Sequence, residues 1–154
     1  MINRERLKSL FADLVNIYSP TGKEEAITGY LADFLISVGM QVDFQEVEDS
    51  RSNLIIPDTT RSSQVLFVGH TDTVPAFDNV GYRFRMEDDE AFGLGTADMK
   101  GGCAAMIEAF ISYAENHNGA LPAALALVVG EEETGDGAQA LVEQRYYPWA
   151  IVAE

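Results

Sequence analysis

A histidine and an aspartate two residues apart form the first group of side chains that could do chemistry. His70 and Asp72 lie in residues 69–74, GHTDTV, directly after the apolar run 65–68. A lone histidine is more often structural than a metal ligand. A metal-bound imidazole, however, usually donates its other N–H to a carboxylate or carbonyl, which fixes the tautomer and raises its basicity. Asp72 is close enough in sequence to play that part for His70, so the pair indicates a candidate metal ligand and its orienting group.

A glycine-rich segment around Asp98 forms the second group, residues 93–102, GLGTADMKGG. Its spacing fits neither common phosphate-binding glycine pattern, and Asp98 stands where the third glycine of the dinucleotide pattern would be. A carboxylate at that place would repel a phosphate. Two interpretations remain. Asp98 caps the helix that follows, or its two oxygens bridge two metal ions.

Three consecutive glutamates, Glu131, Glu132 and Glu133, form the third group. Runs of glutamate are more often a solvated surface, but this run follows the apolar stretch 124–129 almost directly. Adjacent carboxylates at the end of a buried strand should raise one another's pKa values unless cations compensate their charge. Two divalent ions would provide that compensation.

The candidate ligands taken together are His70, Asp98, Glu132 or Glu133, and Glu154. They offer nitrogen and hard oxygen donors and no sulfur. Such a set suits zinc, cobalt or manganese in a catalytic site. The combination is far more specific than any one of its members.

The segments between these groups predict the elements that must position them. Apolar residues at helical spacing predict helices over 4–18 and over residues 26–38, with Gly39 as the stop of the second helix. Two more helices are expected at 101–114 and 138–146. Strands are expected at 41–47, 52–56, 65–68, 123–129 and 150–153, and an edge strand at 82–86.

Three of those strands, 65–68, 123–129 and 150–153, are apolar throughout, which is typical of strands buried on both faces. Helices alternating with such strands predict an α/β sandwich with a mostly parallel sheet. His70, the three glutamates and Glu154 each follow one of these strands. Ligands of open α/β sheets bind beyond the carboxyl ends of the strands, so three strands should deliver candidate ligands to one edge.

Composition excludes several classes of function. The 154 residues carry a formal net charge of −15 and only ten Lys and Arg, which argues against a nucleic-acid partner. The single cysteine, Cys103, excludes an internal disulfide and a thiolate zinc cage. No apolar run approaches the roughly 20 residues of a membrane span, and the first residues do not resemble a signal peptide. A cytoplasmic enzyme is therefore expected, although acidity by itself indicates only solubility.

The three motifs, in this order and at this spacing, resemble the acetylornithine deacetylase, succinyl-diaminopimelate desuccinylase and glutamate carboxypeptidase family of dinuclear metallohydrolases. The resemblance runs from residues 19–25, SPTGKEE, to Glu154. Residues 93–101 are especially similar to acetylornithine deacetylases, which act in arginine biosynthesis. The resemblance implies a three-layer sandwich of the zinc exopeptidase type, and an enzyme that cleaves the amide bond of an N-acyl amino acid or small peptide.

The same resemblance assigns roles to individual residues. It implies that His70 and Glu154 bind one zinc ion, that Asp98 bridges two, and that Glu133 binds the other. It implies that Glu132 is the general base and that Asp72 orients His70. It further suggests a cis peptide bond between Asp98 and Met99. Many members carry Asp where Glu131 stands, a departure that should not alter the chemistry.

Length is the larger departure from the family. Its members run well over twice 154 residues, with a last histidine ligand and a lid domain that often mediates dimerisation. The chain is therefore expected to be the N-terminal portion of the catalytic domain of a protein that forms a homodimer, inactive by itself. Two alternatives are a non-catalytic metal-binding module of the same fold and an acidic interaction domain without metal.

Overall fold

The computed structural model describes residues 1–59, 64–77 and 81–154. The helices are α1 (Arg4–Asn16), α2 (Glu25–Ser37), α3 (Gly101–Asn116) and α4 (Asp136–Gln144), and an irregular helical turn, Thr96–Lys100, leads into α3. The strands are β1 (Asp43–Glu48), β2 (Arg51–Ile56), β3 (Val65–His70), β4 (Arg85–Glu87), β5 (Glu90–Phe92), β6 (Ala124–Val128) and β7 (Trp149–Val152).

The first two helices form where the apolar spacing predicts them, with shorter ends. Asn3 caps α1, since its side-chain oxygen accepts a hydrogen bond from the N–H of Arg6 at 3.1 Å. Helix α1 ends at Asn16, so Tyr18 lies beyond it and packs against Tyr82 instead of extending the helical face. Gly39, at φ +82°, follows α2 as the predicted stop. Within the described ranges, no helix is both long and apolar enough to cross a membrane.

Five strands form one mixed sheet in the order β1-β2-β6-β3-β7. Strand β3 is parallel to both of its neighbours, β6 and β7. Strand β2 is antiparallel to β1 and to β6, so four of the five strands point the same way. The prediction of a mostly parallel sheet is confirmed.

Helices cover both faces of this sheet, which confirms the three-layer α/β sandwich. The main core joins α1, α2 and α3 to one face, where Leu14, Leu31 and Ile107 pack with Leu125 of β6. A smaller core joins Leu141 of α4 to the other face. Every residue of β6 is buried, as the apolar run predicts for a central strand.

Two sequence predictions about strands were wrong. Residues 82–86 do not form an edge strand of the main sheet, because the strand there, Arg85–Glu87, pairs with Glu90–Phe92 in a separate two-stranded hairpin. The run 150–153 is not buried, because β7 stands at the end of the sheet order and all four of its residues are exposed, Trp149 by 68%. Alternation and apolarity describe a strand by itself, whereas burial depends on what packs beside it.

Candidate metal centre

Three parallel strands end at one edge of the sheet, as the sequence predicts. In the pairing register, His70 lies opposite Val128 of β6, and Val68 lies opposite Val152 of β7. The glutamates that follow β6 and Glu154, which follows β7, therefore leave the sheet on the same side as His70.

His70, Asp98 and Glu154 come together at this edge. Nε2 of His70 lies 2.8 Å from Oδ1 of Asp98 and 3.9 Å from Oε1 of Glu154. The three ligand atoms all lie within 4.8 Å of one another. The imidazole is 2% exposed, while the side chains of Asp98 and Glu154 are 59% and 54% exposed. The group therefore combines a buried nitrogen donor with two carboxylates that are open to solvent.

This donor set fits a divalent metal ion. Two donors on one tetrahedral zinc ion, each about 2.0–2.2 Å away, would lie roughly 3.3 Å apart, between the two distances measured from His70. Three protein ligands are also the number that catalytic zinc sites use, and imidazole nitrogen and carboxylate oxygen are both zinc donors.

Asp72 connects His70 to the residues that follow β6. Its backbone carbonyl oxygen lies 3.0 Å from Nδ1 of His70, and its carboxylate lies 3.5 Å from the same atom. The two carboxylate oxygens also accept hydrogen bonds from the backbone N–H groups of Glu131 and Glu132, each at 3.1 Å, and from the hydroxyl of Thr21 at 2.7 Å. Burial alone would raise the pKa of Asp72, but these hydrogen bonds outweigh it and lower that pKa.

The same surroundings favour a positive charge on His70. Burial by itself disfavours the imidazolium, but hydrogen bonds to Asp72 and Asp98, together with the charges of Asp72 and Glu131, raise the pKa of His70 to about 9. The surrounding carboxylates thus favour positive charge at this position, either a proton on the imidazole or a metal ion that replaces it.

Asp98 lies in the irregular turn that precedes α3. The Asp98–Met99 peptide bond is cis, which confirms the expectation from the family resemblance. Gly95, in the left-handed region at φ +78°, opens the turn, and its carbonyl oxygen accepts a hydrogen bond from the N–H of Lys100 at 2.8 Å. The sulfur of Met99 accepts a hydrogen bond from the N–H of His70, which links the turn to the end of β3.

The three glutamates occupy a turn between β6 and α4. Burial, and then the charge of Asp98, raise the pKa of Glu132, as expected for adjacent carboxylates at a strand end. Glu131 lies nearer the histidine, with Oε2 3.8 Å from Nε2 of His70. Glu133 is exposed, and the three-residue donor group does not include it.

Two residues of β2 stabilise this turn, and the sequence analysis identified neither of them. Asn53 accepts a hydrogen bond from the N–H of Val129 and donates one to the carbonyl oxygen of Gly137, so it ties the two ends of the turn together. Arg51 forms ion pairs with Asp136 and with buried Glu24. No local signal indicates these contacts, since Arg51 and Asp136 lie 85 residues apart in the chain.

Comparisons with known proteins identify the family to which the chain belongs. A family model described as peptidase family M20/M25/M40 matches residues 66–153. A probable carboxypeptidase of Aspergillus fumigatus is 35% identical over 95% of this chain and 37% of its own length. A probable succinyl-diaminopimelate desuccinylase of Staphylococcus epidermidis is 33% identical over 89% of this chain and 35% of its own length. The chain thus spans little more than a third of these curated relatives.

Solved structures show the same fold. A tripeptidase from Staphylococcus aureus superposes with a TM-score of 0.78 at 28% identity, over 99% of this chain and 43% of that one. The aminopeptidase PepT of Bacillus cereus gives a TM-score of 0.77 at 27% identity, over 98% of this chain and 43% of that one. A match over more than half of the chain, together with relatives above 30% identity, assigns this chain to the M20/M25/M40 peptidase family.

Proposed function

We propose that this chain supplies the metal-binding part of a hydrolase that cleaves the amide bond of an N-acyl amino acid or a small peptide. The observation that carries the proposal is the group formed by His70, Asp98 and Glu154 at the carboxyl edge of the sheet. Membership of a peptidase family supports the reaction class. The names of the relatives, carboxypeptidase, desuccinylase and tripeptidase, all denote cleavage of an amide bond.

The proposed cofactor is a pair of zinc ions, with cobalt or manganese as substitutes. His70 and Glu154 would hold one ion, Glu133 the other, and Asp98 would bridge them. Bound zinc supplies a Lewis acid for the amide carbonyl and lowers the pKa of a bound water toward about 7. The imidazole and carboxylate donors of this chain suit that ion.

Glu132 is the proposed general base. Its carboxylate is half-buried, and burial raises its pKa, which strengthens it as a proton acceptor. It would accept a proton from the attacking water and deliver it to the leaving amine nitrogen. Asp72 holds the backbone N–H of Glu132, so it would keep the base in place while it orients His70.

Deacetylation of N-acetylornithine, a step of arginine biosynthesis, is the most specific substrate hypothesis. Its support is the similarity of residues 93–101 to acetylornithine deacetylases. The desuccinylase among the relatives points to a different acyl group, and the tripeptidase points to a peptide. The proposal therefore covers N-acyl amino acids and short peptides as one class.

A metal-binding module without turnover is the second candidate. One observation favours it for the 154 residues alone, namely that the three-donor group does not include Glu133. A second metal would then have too few ligands for firm binding.

The test of the proposed function uses the full-length gene product that carries these residues. Purified protein is loaded with zinc and offered N-acetylornithine, an N-succinyl amino acid, a dipeptide and a tripeptide, and the released amine is measured. We expect turnover of at least one substrate, loss of turnover with a chelator, and recovery with zinc. A zinc-loaded protein that releases amine from none of the four contradicts the proposed reaction.

A further inference from the structure

Arg51 lies beside the glutamate turn, residues 130–135, which carries the three glutamates from β6 to α4. Its side chain is 10% exposed. Strand β2 is antiparallel to β6, with Leu54 opposite Leu127, so the first residue of β2 lies next to the end of β6. Burial of an arginine is costly unless carboxylates pair with its charge. The proposed reaction gives Arg51 no part, so its position calls for a physical reason.

Glu24 holds Arg51 from one side. The guanidinium donates hydrogen bonds from Nε and Nη2 to the two oxygens of Glu24, at 3.1 and 2.8 Å. Such paired hydrogen bonds fix the orientation of both groups. Glu24 is 1% exposed and lies in residues 19–25, SPTGKEE, directly before α2. Removing one member of a buried ion pair leaves an uncompensated charge, so each member keeps the other in place.

Asp136 pairs with the other side of the guanidinium. Nη1 lies 2.5 Å from Oδ2 of Asp136, and Nη2 lies 3.4 Å from Oδ1. Asp136 is the first residue of α4 and therefore the residue at which the glutamate turn ends. Glu48 also pairs with Nη1 at 3.3 Å, but its side chain is 71% exposed, and surface pairs contribute little. Arg51 thus links buried Glu24 to the end of the turn.

The start of the glutamate turn also packs against Arg51. The carbonyl oxygen of Gly130 accepts hydrogen bonds from the N–H groups of Gly135 at 2.7 Å and Thr134 at 3.1 Å, so the two ends of the turn lie together. A Cβ atom at Gly130 would lie 2.7 Å from Nη2 of Arg51 and closer still to the carboxylate of Asp136. The turn and the guanidinium are in close contact, so a movement of one must move the other.

We propose that Arg51 is a positioning residue that fixes the glutamate turn, and with it Glu132 and Glu133, before metal or substrate binds. Glu24 holds Arg51, and Arg51 acts through Asp136 without touching substrate. The effect on turnover rests on the proposed function, whereas the effect on the turn does not.

The first experiment measures hydrogen exchange of the backbone N–H groups in the full-length gene product, with a chelator present. Arg51→Lys keeps the positive charge but cannot form the two pairs of hydrogen bonds, because an ammonium is a point charge without the planar fork of a guanidinium. Peptides that cover residues 130–136 should exchange about 10–100-fold faster in this variant, since the closed turn loses hydrogen bonds between charged groups. Mass spectrometry of the peptides gives the rates.

Arg6→Lys is the matched control, because Arg6 pairs in the same way with buried Glu108 and exposed Glu115. These residues lie on α1 and α3, so Arg6→Lys should leave the exchange of residues 130–136 at the wild-type rate. Unchanged exchange of these peptides in Arg51→Lys contradicts the proposal. Equal acceleration in both variants contradicts it as well, because it would show a loss of overall stability and not a release of the turn.

Asp136→Asn covers the case in which Arg51→Lys does not fold. Asparagine keeps one oxygen that can accept the N–H of Gly137, but its amide nitrogen cannot accept a hydrogen bond from the guanidinium. The buried pair of Arg51 and Glu24 stays intact in this variant. Residues 130–136 should again exchange faster than in the wild type, and wild-type exchange in Asp136→Asn contradicts the proposal.

The second experiment measures turnover of the zinc-loaded gene product with whichever of N-acetylornithine, the N-succinyl amino acid, the dipeptide and the tripeptide the wild type cleaves. Arg51→Lys should lower kcat by about 10²-fold with KM near the wild-type value, because a displaced base affects the transition state and not substrate binding. Arg6→Lys should keep the wild-type kcat. A raised KM with unchanged kcat in Arg51→Lys contradicts the positioning of Glu132. A wild-type protein that cleaves none of the four contradicts the proposed function, and the exchange experiment then decides the role of Arg51 alone.

Discussion

The carboxylate of Asp72 accepts a hydrogen bond from the backbone N–H of Glu132 at 3.1 Å. The same aspartate lies with its carbonyl oxygen 3.0 Å from Nδ1 of His70. One buried residue therefore fixes both the proposed metal ligand and the proposed base, although they belong to different strand ends.

Replacing Asp72 with asparagine should weaken zinc binding by roughly 10–100-fold, because an amide N–H₂ replaces one of the oxygens that accept hydrogen bonds. Competition with a chromophoric chelator measures this affinity. Thr21→Val is the control, since it removes only the hydroxyl that donates to Asp72, and it should have a much smaller effect. Unchanged zinc affinity in Asp72→Asn would show that Asp72 does not orient the ligand.

Glu132 and Glu133 should behave differently in the full-length gene product that carries them. Glu132→Gln should keep both metals and reduce kcat by about 10²–10⁴-fold, the usual contribution of a positioned base. Glu133→Gln should release one metal. Metal analysis and amine release measure the two effects, and the opposite pattern would mean that the two roles are exchanged.

The 154-residue chain alone should bind at most about one equivalent of zinc. His70, Asp98 and Glu154 form a three-ligand group, whereas a second ion would have only Asp98 and Glu133. No hydrolysis of N-acetylornithine above background is expected. Metal analysis after dialysis gives the stoichiometry, and two tightly held metals with turnover would refute this prediction.

Gly95→Ala should destabilise the Asp98 turn more than Gly22→Ala destabilises its own loop. Both glycines have positive φ, +78° and +83°, so an alanine costs about 1–2 kcal/mol of conformational energy at each. A Cβ at residue 95 would also lie 2.7 Å from Thr73, whereas no atom lies within 4 Å of one at residue 22. Urea unfolding should show a larger loss for Gly95→Ala, and equal losses would mean that the turn can relax.

Acid should weaken the attachment of α1 to α3 through Glu108. Burial opposes ionisation of this carboxyl, but hydrogen bonds from Arg6, Ser112 and Asn3 outweigh it and lower its pKa below the ordinary 4.5. A folded-state pKa below the unfolded value stabilises the fold at pH above about 4.5, and this contribution is lost as the pH falls.

Glu108→Gln should therefore destabilise the chain at pH 7, by about 3 kcal/mol because Arg6 loses a buried partner. Its unfolding free energy should also fall less steeply than that of the wild type as the pH drops below 4.5. Glu115→Gln is the control, since Glu115 pairs with Arg6 at the surface. Parallel pH profiles for wild type and Glu108→Gln would contradict the assignment.

The sequence by itself determined the class of the fold and the position of the ligands along it. Apolar runs such as 124–129 indicate buried strands, and the segments between such runs have the periodicity of amphipathic helices. Both patterns are local, because each is contained in consecutive residues. The carboxyl ends of parallel strands meet at one edge of a sheet, so the sequence alone indicates that His70 and Glu154 lie together.

Only the tertiary structure decided which residues brace the site. Lys100 is hydrogen-bonded to Ile17, 83 residues away in the sequence, and Asn53 to Val129, 76 residues away. No local sequence pattern indicates either hydrogen bond. The exposure of β7 could not be predicted either, because an apolar strand has the same sequence pattern at the edge of a sheet as at its centre. Burial and long-range hydrogen bonds depend on which residues the fold places next to one another in space. Those residues lie far apart in the sequence, so a local sequence pattern does not reveal them.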